Sequence, residues 1–351
     1  MKLLLLALID FILSTPTLAY WTKFDLLGTS SVIKINRAES NGPATLMNRS
    51  QFGSSVADIG DLDRDGINDL IVGAKGEGTN KNPSQGAVYI LFMTVTGAVK
   101  YHTRIGHLSN GGPSLFTSDQ FGASVCSIGD VNNDGINDVA VGAPGYVLGA
   151  VYVLFMRRDG TASGFRAIRG KYAGKLTTNT NYSNGPPITY NSRFGASLTS
   201  IGDFNRDGVP DIAVGETDSS NGNGKVYLLL LDRYATVLNY SVIGANIGGG
   251  PNINLFSGFA SSILSLADKD GDGNIEIAIG ANNMGDTPQS KPNSGAIFIC
   301  FLNSYGTAKR CTVMGQLSDV KRTLPLQVAK HHDDMNLLKN CFFYLSATDS
   351  L

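Results

Sequence analysis

Short apolar runs alternate with glycine-bearing turns along the chain, and no segment carries a convincing helical period. Residues 120–170 show the pattern most clearly. Ser124 to Ile128 reads as a first strand, Asp138 to Gly142 as a second, Ala150 to Phe155 as a third and Phe165 to Arg169 as a fourth. The first three are nearly continuous apolar runs, as expected of strands covered on both faces. The fourth mixes in polar residues, as an outer edge strand would. Four strands per unit, apolar inside and polar outside, describe a propeller blade.

The unit recurs four times. Each copy opens on an aromatic and a small residue: Phe52-Gly53, Phe121-Gly122, Phe194-Gly195 and Phe259-Ala260. An aspartate follows nine residues later (Asp61, Asp130, Asp203, Asp268), and a glycine twelve after that (Gly73, Gly142, Gly215, Gly280). Successive copies lie 69, 73 and 65 residues apart. A constant core inside a variable period marks one structural unit joined by length-tolerant loops. The cores occupy residues 52–73, 121–142, 194–215 and 259–280. The extra length falls at Gly76–Gln85, Lys171–Ser192 and Asn282–Ser294.

The chemistry sits in the loop after each first strand. Its positions 1, 3, 5 and 9 carry oxygen side chains, and the carbonyl at position 7 adds a fifth donor. In the first loop these are Asp61, Asp63, Asp65, Asp69 and the carbonyl of Ile67. In the second they are Asp130, Asn132, Asp134, Asp138 and the carbonyl of Ile136. In the third they are Asp203, Asn205, Asp207, Asp211 and the carbonyl of Val209. In the fourth they are Asp268, Asp270, Asp272, Glu276 and the carbonyl of Asn274. Glycine at position 6 permits a sharp turn. Hard oxygen donors without His or Cys suit Ca²⁺, up to one ion per loop, at the Kd of roughly 10⁻⁴–10⁻³ M typical of extracellular modules. The loops differ from an EF-hand, because position 12 is Val72, Val141, Val214 or Ile279 and apolar strands flank them. The competing reading is that Asp, Asn and Gly are simply good turn formers.

Composition supports a packed fold. The chain has 351 residues, 42 of them glycine, and 42% are hydrophobic. Lys and Arg number 28 against 29 acidic residues, a balance unlike that of a nucleic-acid binder. The four loops concentrate 14 of those 29 acids, so removing or binding cations there dominates the electrostatics.

Residues 1–19 read as a signal peptide. Lys2 precedes an apolar run through Leu13, and Thr17-Leu18-Ala19 offers a cleavage site. No window reaches the ~18 apolar residues of a membrane span, so a secreted, extracellular chain is expected. Asn48, Asn181 and Asn239 head glycosylation sequons. Cys300 and Cys311 flank a hairpin turn. With Tyr305-Gly306 as a two-residue loop they fall opposite each other, so a cross-strand disulfide and two small apolar fillers are both open. Cys126 stands where sister repeats have Ala57 and Thr199 and reads as a buried free thiol.

Phe-Gly, then Gly-Asp-x-Asn/Asp-x-Asp-Gly-x-x-Asp, then Val-Gly-Ala-Pro resembles the FG-GAP repeat, and residues 121–144 match it throughout. The other copies depart at Lys75, at Glu216-Thr217, and at Ala260 and Asn282. The resemblance implies an all-β, integrin-α-like β-propeller over residues 20–318, with four clear four-stranded blades. Partial strands are expected at either end, and both a closed and an incomplete ring are open. Gly28 to Ile35 resembles Gly306 to Val313, a turn and fourth strand, so the chain is expected to begin with outer strands. Residues 319–351 form an unpatterned tail.

The resemblance further implies a non-catalytic adhesion or ligand-binding module for an extracellular protein or glycan. No inserted domain, leg domains or membrane span accompany it, so conventional integrin signalling is not expected. The alternative is a carbohydrate-binding protein, or a polysaccharide- or phosphodiester-processing enzyme on the same scaffold. Its residues would be drawn from His102, His107, His331 and His332, of which the first two are expected to be solvent-exposed.

Overall fold

The structure, a computed structural model, describes residues 33–36, 42–145, 149–171, 182–188, 192–217, 224–253, 257–284 and 295–314. The expected signal peptide, most of the expected N-terminal outer strand, Asn181, His331, His332 and the tail lie outside the described residues.

Among the described residues, seventeen strands form four sheets, each a meander in sequence order and antiparallel except for the last pair of the second. The first blade is β1 (Phe52–Gly60), β2 (Asp69–Ala74), β3 (Ala87–Met93) and β4 (Val99–Gly106). The second is β5 (Ser124–Gly129), β6 (Asp138–Ala143), β7 (Ala150–Met156) and β8 (Ala162–Lys171). The third is β10 (Phe194–Gly202), β11 (Asp211–Glu216), β12 (Lys225–Leu231) and β13 (Val237–Gly244). The fourth is β14 (Phe259–Leu266), β15 (Glu276–Ala281), β16 (Ala296–Leu302) and β17 (Ala308–Met314). The four strands expected of the second repeat are all present, each ending within a few residues of its expected bounds. One strand was not foreseen: β9 (Tyr182–Pro187) pairs in parallel with β8, so part of the Lys171–Ser192 insertion extends the second sheet.

Apolar content follows strand position. All seven residues of β3 are buried, whereas β4 is buried only at its ends and exposed or half-buried from Lys100 to Arg104. The first strand of each blade packs against that of the next, β1 on β5, β5 on β10 and β10 on β14, in an open row. Side chains from adjoining blades share one core; Val88, Ile90 and Phe92 of the first blade cluster with Phe121, Val139 and Tyr152 of the second. Six residues before each repeat phenylalanine stands a further buried apolar residue: Leu46, Leu115, Ile188 and Ile253.

The Phe-Gly turn is the joint between blades. Gly53, Gly122 and Gly195 have φ of 88°, 89° and 90°, a left-handed region that glycine enters freely. The carbonyl of that turn docks on the glycine twenty residues further along the preceding repeat. A Cβ on Gly73 would lie 2.0 Å from Gly122 O, and one on Gly142 would lie 2.1 Å from Gly195 O. A serine clasps the same carbonyl: Ser55 Oγ donates to Gly122 O (2.9 Å), Ser124 Oγ to Gly195 O (2.7 Å) and Ser197 Oγ to Ala260 O (2.7 Å). In the fourth blade the equivalents are exposed. The Ser262 hydroxyl has no hydrogen-bond partner among the described residues, and Ile297 is 50% exposed where Val88, Val151 and Val226 are 0%.

Cys300 and Cys311 are paired across β16 and β17 and joined as a disulfide, with Cα atoms 4.1 Å apart. The turn between them differs from the two-residue loop expected. Asn303 N donates to Thr307 O, Gly306 N donates to Asn303 O, and a bulge before Arg310 restores the register. Cys126 is free and buried.

Candidate metal loops

The first-to-second-strand connections all leave their blades at the same end, so the four loops share one rim. Neighbouring blades touch along it: Asn137 Nδ2 of the second loop donates to Ile59 O at the end of β1 (3.1 Å), and Arg206 Nη2 of the third loop to Gly273 O of the fourth (3.2 Å). Because the blades are antiparallel meanders, the second-to-third and blade-to-blade connections leave at the opposite end. All three length insertions belong to those connections.

Each loop is wound around its first aspartate. Asp61 accepts the N–H groups of Asp65 and Gly66, Asp130 those of Asp134 and Gly135, and Asp203 those of Asp207 and Gly208. Asp268 does the same with Asp272 and Gly273. The winding requires positive φ at position 6, where Gly66 and its counterparts lie at 80° to 87°. Position 4 is left-handed as well, at Arg64, Asn133 and Arg206, with glycine there only in the fourth loop.

Carboxylates converge most fully in the first and fourth loops. Oxygens of Asp61, Asp63 and Asp65 lie within 4.8 Å of one another, as do those of Asp268, Asp270, Asp272 and Glu276. The second and third loops place Asn132 and Asn205 at position 3, and each amide donates to the aspartate at position 5 (2.9 and 2.8 Å). The position 7 residues Ile67, Ile136, Val209 and Asn274 each donate their N–H to the position 5 carboxylate.

Position 9 has a second job that spacing alone did not reveal. Asp69, Asp138 and Asp211 are fully buried. Each spans two elements, taking the N–H of loop position 2 on one oxygen and the N–H at the end of the third strand on the other. For Asp138 these are Val131 (3.1 Å) and Met156 (3.0 Å). Burial pushes the Asp138 carboxyl up to about 7 and that of Asp211 to about 6, against the lowering effect of those N–H groups. Glu276 is one methylene longer. Its Oε2 accepts Lys269 N, but Oε1 is buried with no hydrogen-bond partner. A buried, unpaired carboxylate oxygen among three further carboxylates is a site suited to a hard cation.

Two lysines reach the loops that hold four carboxylates. Lys100 Nζ lies 3.0 Å from Asp63 and 2.9 Å from Asp65, while Lys309 pairs with Asp270 and Asp272. The Lys309 hydrogen bond holds the Asp272 carboxyl down at about 2.

Of the two histidines expected to be exposed, His102 departs from that expectation and His107 meets it. His102 is half-buried against the Tyr89 ring at 6.1 Å, and burial lowers its pKa. His107 is exposed, and its Nδ1 accepts Leu115 N (2.9 Å). Asn48 and Asn239 are exposed. No helix among the described residues is long and apolar enough to cross a membrane, which leaves strand-built spans untouched.

Joint, loop and blade together define a class: the chain is an FG-GAP repeat protein of all-β, propeller-like architecture. The family model described as "FG-GAP repeat" matches residues 52–91, 121–154 and 194–229. The fourth blade lies outside those stretches although it is built alike. The chain is integrin-α-like: it is 33% identical to mouse integrin alpha-2 over 191 residues, 54% of this chain and 14% of that protein. It is 32% identical to Xenopus laevis integrin alpha-4 over 170 residues, 47% of this chain and 14% of that one. Mouse integrin alpha-3 is 45% identical over 102 residues, 29% of this chain and 9% of that protein. The matched region thus spans less than a sixth of these relatives. A solved structure of the rhamnogalacturonan lyase YesW aligns with 74% of this chain and 48% of its own at 14% identity and a TM-score of 0.34, too slight a likeness to carry an argument.

Proposed function

We propose that the chain is a secreted, non-catalytic ligand-binding module whose blades are clamped on one rim by Ca²⁺. Its ligand, an extracellular protein or glycan, meets the opposite rim, where the insertions emerge. The observation that carries the cation reading is the fourth loop, where buried Glu276 Oε1 lacks a partner beside Asp268, Asp270 and Asp272. Asp61, Asp63 and Asp65 would hold an ion in the first loop. In the second and third, Asp130, Asn132 and Asp134, and Asp203, Asn205 and Asp207, would do so. The bound ion would supply charge neutralisation and stiffen the turn between the first two strands.

The role is structural, so removing the cation is expected to lower the melting temperature. Thermal unfolding of the purified chain in excess chelator and after Ca²⁺ is restored tests this; superimposable curves would refute it. The ligand-binding face is tested by capture on immobilised matrix proteins and glycans. Binding that survives scrambling of residues 77–85 and 285–294 would exclude the insertion rim.

A further inference from the structure

Lys100 and Lys309 occupy the same place in two blades. Met93 pairs with Val99 and Phe92 with Tyr101, which leaves Lys100 as the bulge residue of β4. Leu302 pairs with Ala308 and Phe301 with Arg310, which leaves Lys309 as the bulge residue of β17. The same reading of the other two ladders puts Ser163 and Leu238 at the corresponding bulges. A bulge re-aims its side chain out of the strand alternation. Here it turns each lysine onto the metal loop of its own blade, 35 to 39 residues away in sequence.

The lysines track the residue at loop position 3. Where that residue is Asp63 or Asp270, the bulge carries lysine; where it is Asn132 or Asn205, the bulge carries Ser163 or Leu238. In the asparagine loops, the amide bridges to position 5. In the aspartate loops, the ammonium bridges positions 3 and 5. Counting only the acids at positions 1, 3, 5 and 9 and the bulge lysine, four carboxylates with one lysine match three carboxylates with none; Arg64, Arg206 and Lys269 add one further positive charge within the first, third and fourth loops. Arg310 adds a longer contact to Asp270 (3.8 Å) while lying over the Phe301 ring.

We propose that Lys100 and Lys309 are tethered counter-ions that compete with a divalent cation for the first and fourth loops. The inference rests on reading those loops as cation sites. Without an ion, the ammonium relieves repulsion between the carboxylates at positions 3 and 5 and keeps the loop wound. When an ion enters, the ammonium must leave the oxygens it bridges, and the flexible lysine stem allows that without moving the strand. The second and third loops hold no such substitute charge and depend on the ion more strongly for their shape.

The test is Ca²⁺ titration of the intact chain by calorimetry, paired with melting curves in chelator. A unit charge ~6 Å from a divalent ion in a water-like dielectric opposes binding by on the order of tenfold. Lys100→Met and Lys309→Met are therefore each expected to tighten one site about tenfold and to lower the melting temperature in chelator. Lys100→Arg retains wild-type behaviour, and Ser163→Lys weakens the second site. Lysine variants that bind Ca²⁺ as wild type does, or more weakly, overturn the proposal while leaving the cation reading standing. A wild-type chain that binds no Ca²⁺ defeats both.

Discussion

Gly142→Ala should break the joint between the second and third blades. The new Cβ would stand 2.1 Å from Gly195 O and 2.2 Å from Ser124 Oγ. Gly195 O is main chain, held by its own turn, so relief needs the blades to part by about an ångström. Overpacking of this kind costs ~1–3 kcal/mol. Parting also removes the Ser124 hydrogen bond from a buried carbonyl, a further ~1–3 kcal/mol. The expected loss is therefore ~2–6 kcal/mol. Gly280→Ala is the matched control. It sits at the same place in the fourth blade, but its near neighbour is the Ser262 hydroxyl at 2.3 Å, and among the described residues no main chain of another blade lies beside it. Ser262 is exposed and free to rotate, so the change should cost less than ~1 kcal/mol. Urea unfolding followed by tyrosine fluorescence measures both. With an m-value of ~2–3 kcal/mol/M, the Gly142 variant should lose about 0.7–3 M in midpoint and the Gly280 variant less than about 0.5 M. Equal losses would mean that the blade joint does not govern the cost.

Three other outcomes are expected. In chelator, stability should fall as pH rises from about 4 to about 7. Folded Asp138 and Asp211, raised to about 7 and about 6, keep protons that the unfolded chain has already shed, and saturating Ca²⁺ should flatten the slope. A urea midpoint that climbs across that window would contradict the burial argument. Asp211→Asn leaves only one acceptor for the N–H groups of Phe204 and Leu231. It should destabilise by ~1–3 kcal/mol even in saturating Ca²⁺, as read by urea unfolding. Cys311→Ala should cost about 3 kcal/mol, the chain-entropy value for so short a loop, with faster hydrogen exchange in β16 and β17. Loss spread evenly over all four blades would argue against a local brace.

How much of this was legible in the sequence depends on how far apart the interacting residues are. Strand positions and the winding of the metal loops are local, so apolar runs and the Asp-x-Asp/Asn-x-Asp-Gly spacing reveal them directly. Position 9 reads as the fourth side-chain ligand because spacing reports only that an oxygen is present. It cannot report that Met156 N, eighteen residues on, takes one of the Asp138 oxygens. Nor does spacing reveal Lys100, which reaches Asp63 only because β4 carries a bulge. The parallel strand β9 was hidden for a related reason: Tyr182–Pro187 holds a glycine and two prolines, residues that read as a loop. The joint is the instructive case. The Phe-Gly pair and the glycine of the preceding repeat both stand out as constants, yet nothing in either says that they touch. Their constancy makes sense only once Gly122 O is seen against Gly73 and Gly195 O against Gly142. Each repeat thus carries half of two joints and none complete. Among the described residues, the serine and glycine of the fourth blade repeat the pattern but meet no such turn, which is why Ser262 and Ile297 are exposed there.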